Sequence, residues 1–435
     1  MTVSGMGDEM KAGVRGLILL TAGLGSAAAA QIPPEAKMPP NIQALHDANG
    51  GQLGNDSRCE VLEWILDPTH HWPTFPTGPV DAARHYANAC RLSHEDLSPE
   101  IAAQKLGNDT FRFDVEGGAL TILAKSNDKE VHFCCAPNGS LSRLGDSSFW
   151  AARYRMADIR SAMISIVPPG APGPSSEWKY YRGPLAPPQH PETPVGQWKG
   201  QMLQREVPSH ALGETRKVMV YLPPGYSKER TWPALFMADA GAVEFAGLIE
   251  MMITNGEIEP IVIISPDSGE GAVVGTAPTQ FGDLRAAEYL PGTPRGAARF
   301  APHMKFFSEE IVAFAIEEFR VSPDRSDRAV AGKSNGGVFA LWAGIQRPDV
   351  FANSIAMSPG WKPVEQDQLP DIQRARFFLS AGLYEAPFIM SAQNSEAALK
   401  ARGYDVEARY YAAGHMHDQW IVALREALLN VFSPH

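Results

Sequence analysis

Residues 328–345 read as an apolar strand, a tight turn and an apolar helix in immediate succession. The strand carries Ala329-Val330-Ala331, the turn is Gly332-Lys333-Ser334-Asn335-Gly336-Gly337, and the helical stretch begins at Val338. Few features constrain a fold as much. A turn this tight forms only where strand and helix pass closely, which glycines two residues either side of Ser334 permit. The strand must then lie in a sheet with the helix packed beside it. Ser334 is held in a strained conformation with its side chain pointing away from the sheet edge. Asn335 opens the helix, so its N–H has no intrahelical partner and can stabilise an oxyanion. A Gly-rich strand-to-helix connection with a chance serine also fits this hexapeptide when it is read alone.

The flanking chain supplies the rest of such a sheet. Apolar or β-branched runs at 216–222, 234–238, 261–264, 354–357, 376–380 and 405–411 read as strands. Helix-like stretches fall at 243–255, 300–319, 338–346, 392–402 and 418–432. Strands alternating with helices predict a mostly parallel sheet covered on both faces, an α/β fold over residues 197–435.

The N-terminal half differs. Residues 110–115, 119–124, 130–135, 148–155 and 161–168 alternate, with turn signals between them, and predict a smaller β-sandwich-like domain over 109–170. Prolines crowd 171–196, which reads as an inter-domain linker. Residues 31–108 read as a linker followed by helical fragments at 59–66, 79–92 and 99–106. A chain of 435 residues accommodates two such domains. Lys11 and Arg15 precede an apolar run at 16–25 and the small residues Ser26-Ala27-Ala28-Ala29-Ala30. That order describes a signal peptide over 1–30 and an exported protein, periplasmic or secreted. The apolar run is too short to span a membrane, and no later stretch approaches that length. In an exported chain the even count of cysteines, Cys59, Cys90, Cys134 and Cys135, points to disulfides; their pairing and the alternative of buried thiols stay open. No Cys-x-x-Cys occurs and no metal is expected. A net charge of −11 argues against nucleic acid or an anionic membrane as partner.

A serine nucleophile needs a base, and the base a group that orients it. The strand at 405–411 ends in Ala412-Ala413-Gly414-His415-Met416-His417-Asp418, ahead of the last helix. One of its two histidines is the candidate base, and His415, directly after the glycine, is favoured over His417. Between serine and histidine, the strand at 376–380 leads to Glu385, the carboxylate at a strand's C-terminal end. Asp371, Asp405 and Glu407 fall at the wrong ends of their strands, and Asp418 fits a helix cap. The loop Asp239-Ala240-Gly241-Ala242 follows an early strand, so the backbone of Ala240 or Gly241 is the candidate second oxyanion donor beside Asn335.

From about residue 217 to the end, the chain resembles the esterase D / enterochelin esterase group of α/β-hydrolases. The resemblance rests on Val220-Tyr221-Leu222-Pro223-Pro224-Gly225-Tyr226, the strand ending at Asp239, and Arg285-Ala286-Ala287-Glu288-Tyr289-Leu290-Pro291. It continues in the Ser334 motif with Arg347-Pro348-Asp349-Val350-Phe351, Ser358-Pro359-Gly360-Trp361, and Gly414-His415 with Trp420 five residues on. That last spacing selects His415. The stretch Arg182-Gly183-Pro184-Leu185-Ala186-Pro187-Pro188, with the strands before it, is similar to the N-terminal sandwich of enterochelin esterases. Ala240 stands where the family usually has glycine. The resemblance implies hydrolysis of a small-molecule carboxylic ester through an acyl-enzyme on Ser334, with His415 and Glu385 completing the triad and no cofactor required. It also places Arg285, Glu288 and Trp361 along the substrate pocket; bracing roles for the charged pair and packing for the tryptophan are the alternatives. Carbohydrate-linked feruloyl or acetyl esters, acyl transfer to an acceptor other than water, and a non-catalytic binding protein on a hydrolase scaffold are the rival readings.

Overall fold

The computed structural model describes residues 89–434 apart from 93, 136–138, 157, 169–177, 270–283, 292–296, 361–363 and 371–373. The expected signal segment, Cys59 and the fragment at 59–66 lie outside the described residues, as do the side chains of Cys90, Cys134 and Cys135. The chain divides into two compact units.

The first unit takes the residues up to Ala186, with the returning segments Gly382–Pro387 and Tyr411–Met416. Its strands are β1 (Ala89–Leu92), β2 (Phe111–Glu116), β3 (Ala119–Lys125), β4 (Val131–Cys135), β5 (Gly139–Arg143), β6 (Phe149–Met156), β7 (Met163–Val167) and β8 (Lys179–Arg182). They run in the order β2-β3-β6-β5-β4-β7-β8, with β1 also pairing β6, and every pairing is antiparallel. Helix α1 (Pro99–Leu106) starts where the Ser98 hydroxyl accepts the Ile101 N–H at 3.3 Å and ends at Gly107, whose φ of 58° suits a residue without Cβ. Its buried Ala102 and Leu106 pack with Leu123, Leu144 and Ala151. Residues 89–92 depart from the expected helix over 79–92. They form β1 because pairing with β6 supplies a ladder that local helix propensity does not outweigh. The short strands β5 and β8 were not anticipated either; β8 lies inside the proline-rich stretch.

The second unit takes Pro187–Ala381, Phe388–Tyr410 and His417–His435. In chain order it contains β9 (Gln201–Ser209), β10 (Glu214–Leu222), β11 (Ala234–Met237), α2 (Gly241–Thr254), β12 (Val262–Pro266), α3 (Leu284–Tyr289), α4 (Ala297–Lys305), α5 (Ile311–Phe319), β13 (Arg328–Lys333), α6 (Asn335–Gln346), β14 (Asn353–Met357), β15 (Arg376–Gly382), α7 (Ala386–Ala401), β16 (Val406–Tyr411) and α8 (His417–Val431). The sheet order is β16-β15-β14-β13-β11-β12-β10-β9. Pairings from β12 through β11, β13 and β14 to β15 are parallel, while β10 is antiparallel to both β12 and β9. The fold is α/β. Strands β11, β12 and β13 are buried almost throughout, which is why their sequences are apolar runs rather than alternations.

The core gathers Phe236, Phe307, Phe339 and Phe351, with Phe307 and Phe339 edge-on at 4.9 Å. Each such side chain contributes about 1.5–3 kcal/mol by leaving water. The helix expected over 300–319 is interrupted. Pro302 sits within α4, residues Phe306–Glu310 form a π turn, and α5 resumes at Ile311. Before β9, the chain is tied down despite its prolines. Buried Glu250 on α2 accepts the N–H groups of Lys199 (2.6 Å) and Gly200 (3.2 Å) and the Tyr221 hydroxyl.

Candidate active site

Parallel strands β11, β13 and β14 end at one edge of the sheet, and backbone strain collects there. Six non-glycine residues among those described have positive φ. Four of them follow these strands: Asp239 (60°) and Ala240 (51°) after β11, Ser334 (55°) after β13, and Ser358 (47°) after β14. Each costs of order 1–3 kcal/mol, a cost that clusters at functional sites.

Ser334 is fixed by the elements either side of it. Its N–H donates to Met357 O at 2.9 Å, and its carbonyl accepts the Val338 N–H at 3.1 Å. A Cβ on Gly332 would lie 2.1 Å from the Gly336 carbonyl oxygen, and one on Gly337 2.3 Å from that of Met357. Only glycine at both positions lets strand and helix close on the turn. Asn335 is the first residue of α6, so its N–H is unclaimed by the helix.

Glu385 and His415 are brought together. Their segments are stitched to each other by Leu383 N–H to Tyr411 O (2.8 Å) and Tyr384 N–H to Ala413 O (2.9 Å), and Met163 of β7 donates to Ala412 O at 2.8 Å. The Glu385 side chain is fully buried. Its Oε1 lies 2.8 Å from His415 Nδ1, and its Oε2 accepts the Gly382 N–H at 2.8 Å. Both oxygens are therefore assigned. The carboxylate is held against the ring at Nδ1 and anchored on its other side by the Gly382 N–H.

With this geometry in view, residues 209–431, just over half of the 435-residue chain, match the family described as "Putative esterase". The chain belongs to this esterase family. A Bacillus subtilis (strain 168) protein, YjcH, is 24% identical over 164 residues, 37% of this chain and 62% of that protein. An endo-1,4-beta-xylanase/feruloyl esterase of Xylanibacter ruminicola is 26% identical over 213 residues, 46% of this chain and 27% of its own length. The chain thus spans less than two thirds of either relative. Among solved structures, the enterobactin esterase of Shigella flexneri superposes with a TM-score of 0.53 at 15% identity, covering 77% of this chain and 98% of that one. The ferric enterobactin esterase of Salmonella typhimurium gives 0.52 at 16%, covering 74% and 96%. At such identities these likenesses establish the shared fold.

For an esterase of this family, His417 is a poor base. Burial alone would lower its imidazolium, but hydrogen bonds from Nε2 to Glu192 (3.3 Å) and from Nδ1 to Glu244 (2.9 Å) raise it to about 9. A ring charged at neutral pH and bonded at both nitrogens accepts no proton from a serine.

Ala240, Gly241, Arg285 and Glu288 each have protein partners. Ala240 N–H donates to Pro266 O at 3.3 Å and Gly241 N–H to Ala238 O at 3.1 Å, because two successive left-handed residues fold the loop back on itself. Both expected second oxyanion donors are therefore engaged. Arg285 pairs with Asp239, at 2.6 Å from Nε to Oδ1 and 2.6 Å from Nη2 to Oδ2. That carboxylate in turn abuts Gly336, where an added Cβ would meet Asp239 Oδ2 at 2.9 Å, so the pair braces the start of α6. Glu288 is wholly buried. It holds Arg216, Arg299 (2.9 Å) and the Gly269 N–H (2.7 Å), with His303 Nδ1 at 3.5 Å. Trp361 lies outside the described residues.

Ser358, which the sequence marks only as part of a family-like motif, accepts at its hydroxyl from Trp420 Nε1 at 2.9 Å and Gln419 Nε2 at 3.2 Å. Nothing local in the sequence pairs Trp420 with a serine 62 residues earlier.

Proposed function

We propose that this family member hydrolyses carboxylic esters through an acyl-enzyme on Ser334. The observation carrying the reading is the buried Glu385 carboxylate, bonded at one oxygen to His415 and anchored at the other by Gly382. In the proposed reaction the Ser334 hydroxyl attacks the ester carbonyl while His415 Nε2 takes its proton. Glu385 stabilises the resulting imidazolium, and the Asn335 N–H donates to the oxyanion. Collapse of the tetrahedral intermediate breaks the bond to the alcohol, which leaves with the proton from His415. Water, deprotonated by the same histidine, then attacks the acyl group, releases the acid and restores Ser334.

The finer reading is an enterobactin-like trilactone as substrate. It is supported by the likeness to enterobactin esterases, which extends over most of both chains. A feruloyl ester of a carbohydrate is the second reading, favoured by the feruloyl esterase relative. Turnover of a catecholate trilactone against methyl ferulate, with Ser334→Ala beside the wild type, tests both levels. The trilactone reading expects the larger kcat/KM on the trilactone and about 10³-fold or greater loss in Ser334→Ala. Preference for ferulate transfers the assignment to the second reading, and full turnover by Ser334→Ala sinks the mechanism. Export is proposed on the basic, apolar and Ala-rich order of residues 1–30. A mature terminus at Gln31, read by mass spectrometry of exported protein, is the expected outcome; retention of the full N-terminus contradicts it.

A further inference from the structure

A chain of alternating charge runs beside the nucleophile. Glu244, in the first turn of α2, places Oε2 2.7 Å from Lys333 Nζ, and Lys333 immediately precedes Ser334. Its Oε1 lies 2.9 Å from Nδ1 of His417, two residues beyond His415. His417 Nε2 reaches Glu192 Oε1 at 3.3 Å, and Glu192 belongs to the proline-rich segment whose Thr193 N–H donates to Gly247 O of α2 at 3.0 Å. Each end is constrained further. The Lys333 ammonium sits 4.5 Å over the Trp420 ring, which Ser358 fixes through the indole N–H. The His417 ring stacks on Phe245, 5.5 Å away and 20° from parallel.

We propose that Glu244 is a positioning residue for the esterase reaction: one carboxylate holds the residue before the nucleophile and the residue two beyond the base, and so sets kcat. This rests on the triad reading above. Glu244 touches no reacting atom. It acts through Lys333 on the turn and through His417 on the start of α8. Its own charge is secure: burial would raise the carboxyl, but the His417 hydrogen bond and the Lys333 charge hold it at about 2. The groups facing His417 are Glu192 from the proline-rich segment, Glu244 from α2 and, through Glu244, Lys333 from β13; Asp418 neighbours it on its own helix. Loss of the His417 proton at alkaline pH breaks the alternation, and the account expects kcat to fall there.

The test compares wild type, Glu244→Gln and Glu192→Gln in full-length protein on a p-nitrophenyl ester, with kcat and KM measured across pH. For Glu244→Gln, kcat falls about tenfold or more, as small displacements of reacting groups do. KM stays within about twofold, and the alkaline limb moves toward neutrality. Glu192→Gln, which removes only the outer carboxylate, moves the alkaline limb in the same direction with a smaller loss at pH 7. A purely structural carboxylate would lower the melting temperature and leave the limb in place. A folded Glu244→Gln with wild-type kcat and alkaline limb overturns the proposal. Should that variant not fold, an unmoved limb in Glu192→Gln overturns it instead. Labelling of wild-type Ser334 by diethyl p-nitrophenyl phosphate separates the two levels. If that labelling fails, the triad reading is wrong and this inference falls with it; if it succeeds, a null result in the variants counts against Glu244 alone.

Discussion

A carboxylate buried beside an imidazole is useful only if it cannot turn away. In this chain the Gly382 N–H occupies the second oxygen of Glu385 while His415 Nδ1 takes the first. Replacing Glu385 by Gln presents an amide that no longer stabilises the imidazolium. We expect kcat in Glu385→Gln to fall by about 10³–10⁴-fold with little change in KM, read from steady-state hydrolysis; a loss under tenfold would remove Glu385 from the triad. Glu288 answers to different physics. Its removal in Glu288→Ala leaves Arg216, 7% exposed, and Arg299 without their buried partner. That costs about 3–5 kcal/mol, or a melting temperature about 10 °C lower. KM of the remaining folded protein is expected to be unchanged, whereas a substrate-contacting role would raise it. The places of Ser334, Glu385 and His415 after β13, β15 and β16 were legible because each follows a recognisable strand and their order along the chain is restrictive. The burial of Glu288 was not, since it depends on Arg216, 72 residues away, and an isolated Glu in sequence carries no sign of such a partner.

The strand–turn–helix unit from β13 through α6 is the element on which the site depends, and its glycines are the least substitutable positions. In Gly332→Ala the new methyl would meet the Gly336 carbonyl, a backbone atom that yields only if the turn opens. We expect a destabilisation of at least about 2 kcal/mol together with lost ester hydrolysis, seen by thermal melting and activity on the same sample. A stable, fully active Gly332→Ala would mean that the turn is looser than described. Central strands were legible as apolar runs because burial on both faces removes alternation. Strand β9 was missed for the opposite reason: at the sheet edge its residues are mostly exposed, so QMLQREVPS shows no apolar pattern. The π turn at Phe306–Glu310 was also hidden, because an amphipathic run through 300–319 reads as one helix even with Pro302 inside it.

At the scale of the whole molecule, the alternation of strands and helices was enough to give the α/β class, while the extent of each unit was not. Segments Gly382–Pro387 and Tyr411–Met416 group with the first unit although they are remote from it in sequence, and only three-dimensional contact reveals that. Stability should also respond to pH through the charged chain at His417. Its proton is held more tightly in the folded state, at about 9 against an ordinary 6.5. The contribution is therefore complete below about pH 6.5 and is lost as pH rises through about 9. With the ring 40% exposed, solvent screening limits it to about 1 kcal/mol, a fall of a few degrees in melting temperature between pH 7 and 10. His417→Gln should flatten that part of the profile; an unchanged slope would show that the network adds nothing to stability. Intact mass and peptide mapping after treatment with diethyl p-nitrophenyl phosphate should find a single diethylphosphoryl group on Ser334 in step with lost esterase activity, with labelling slowed in His415→Ala. Full inactivation with Ser334 unmodified, or the label on another residue, would contradict the account.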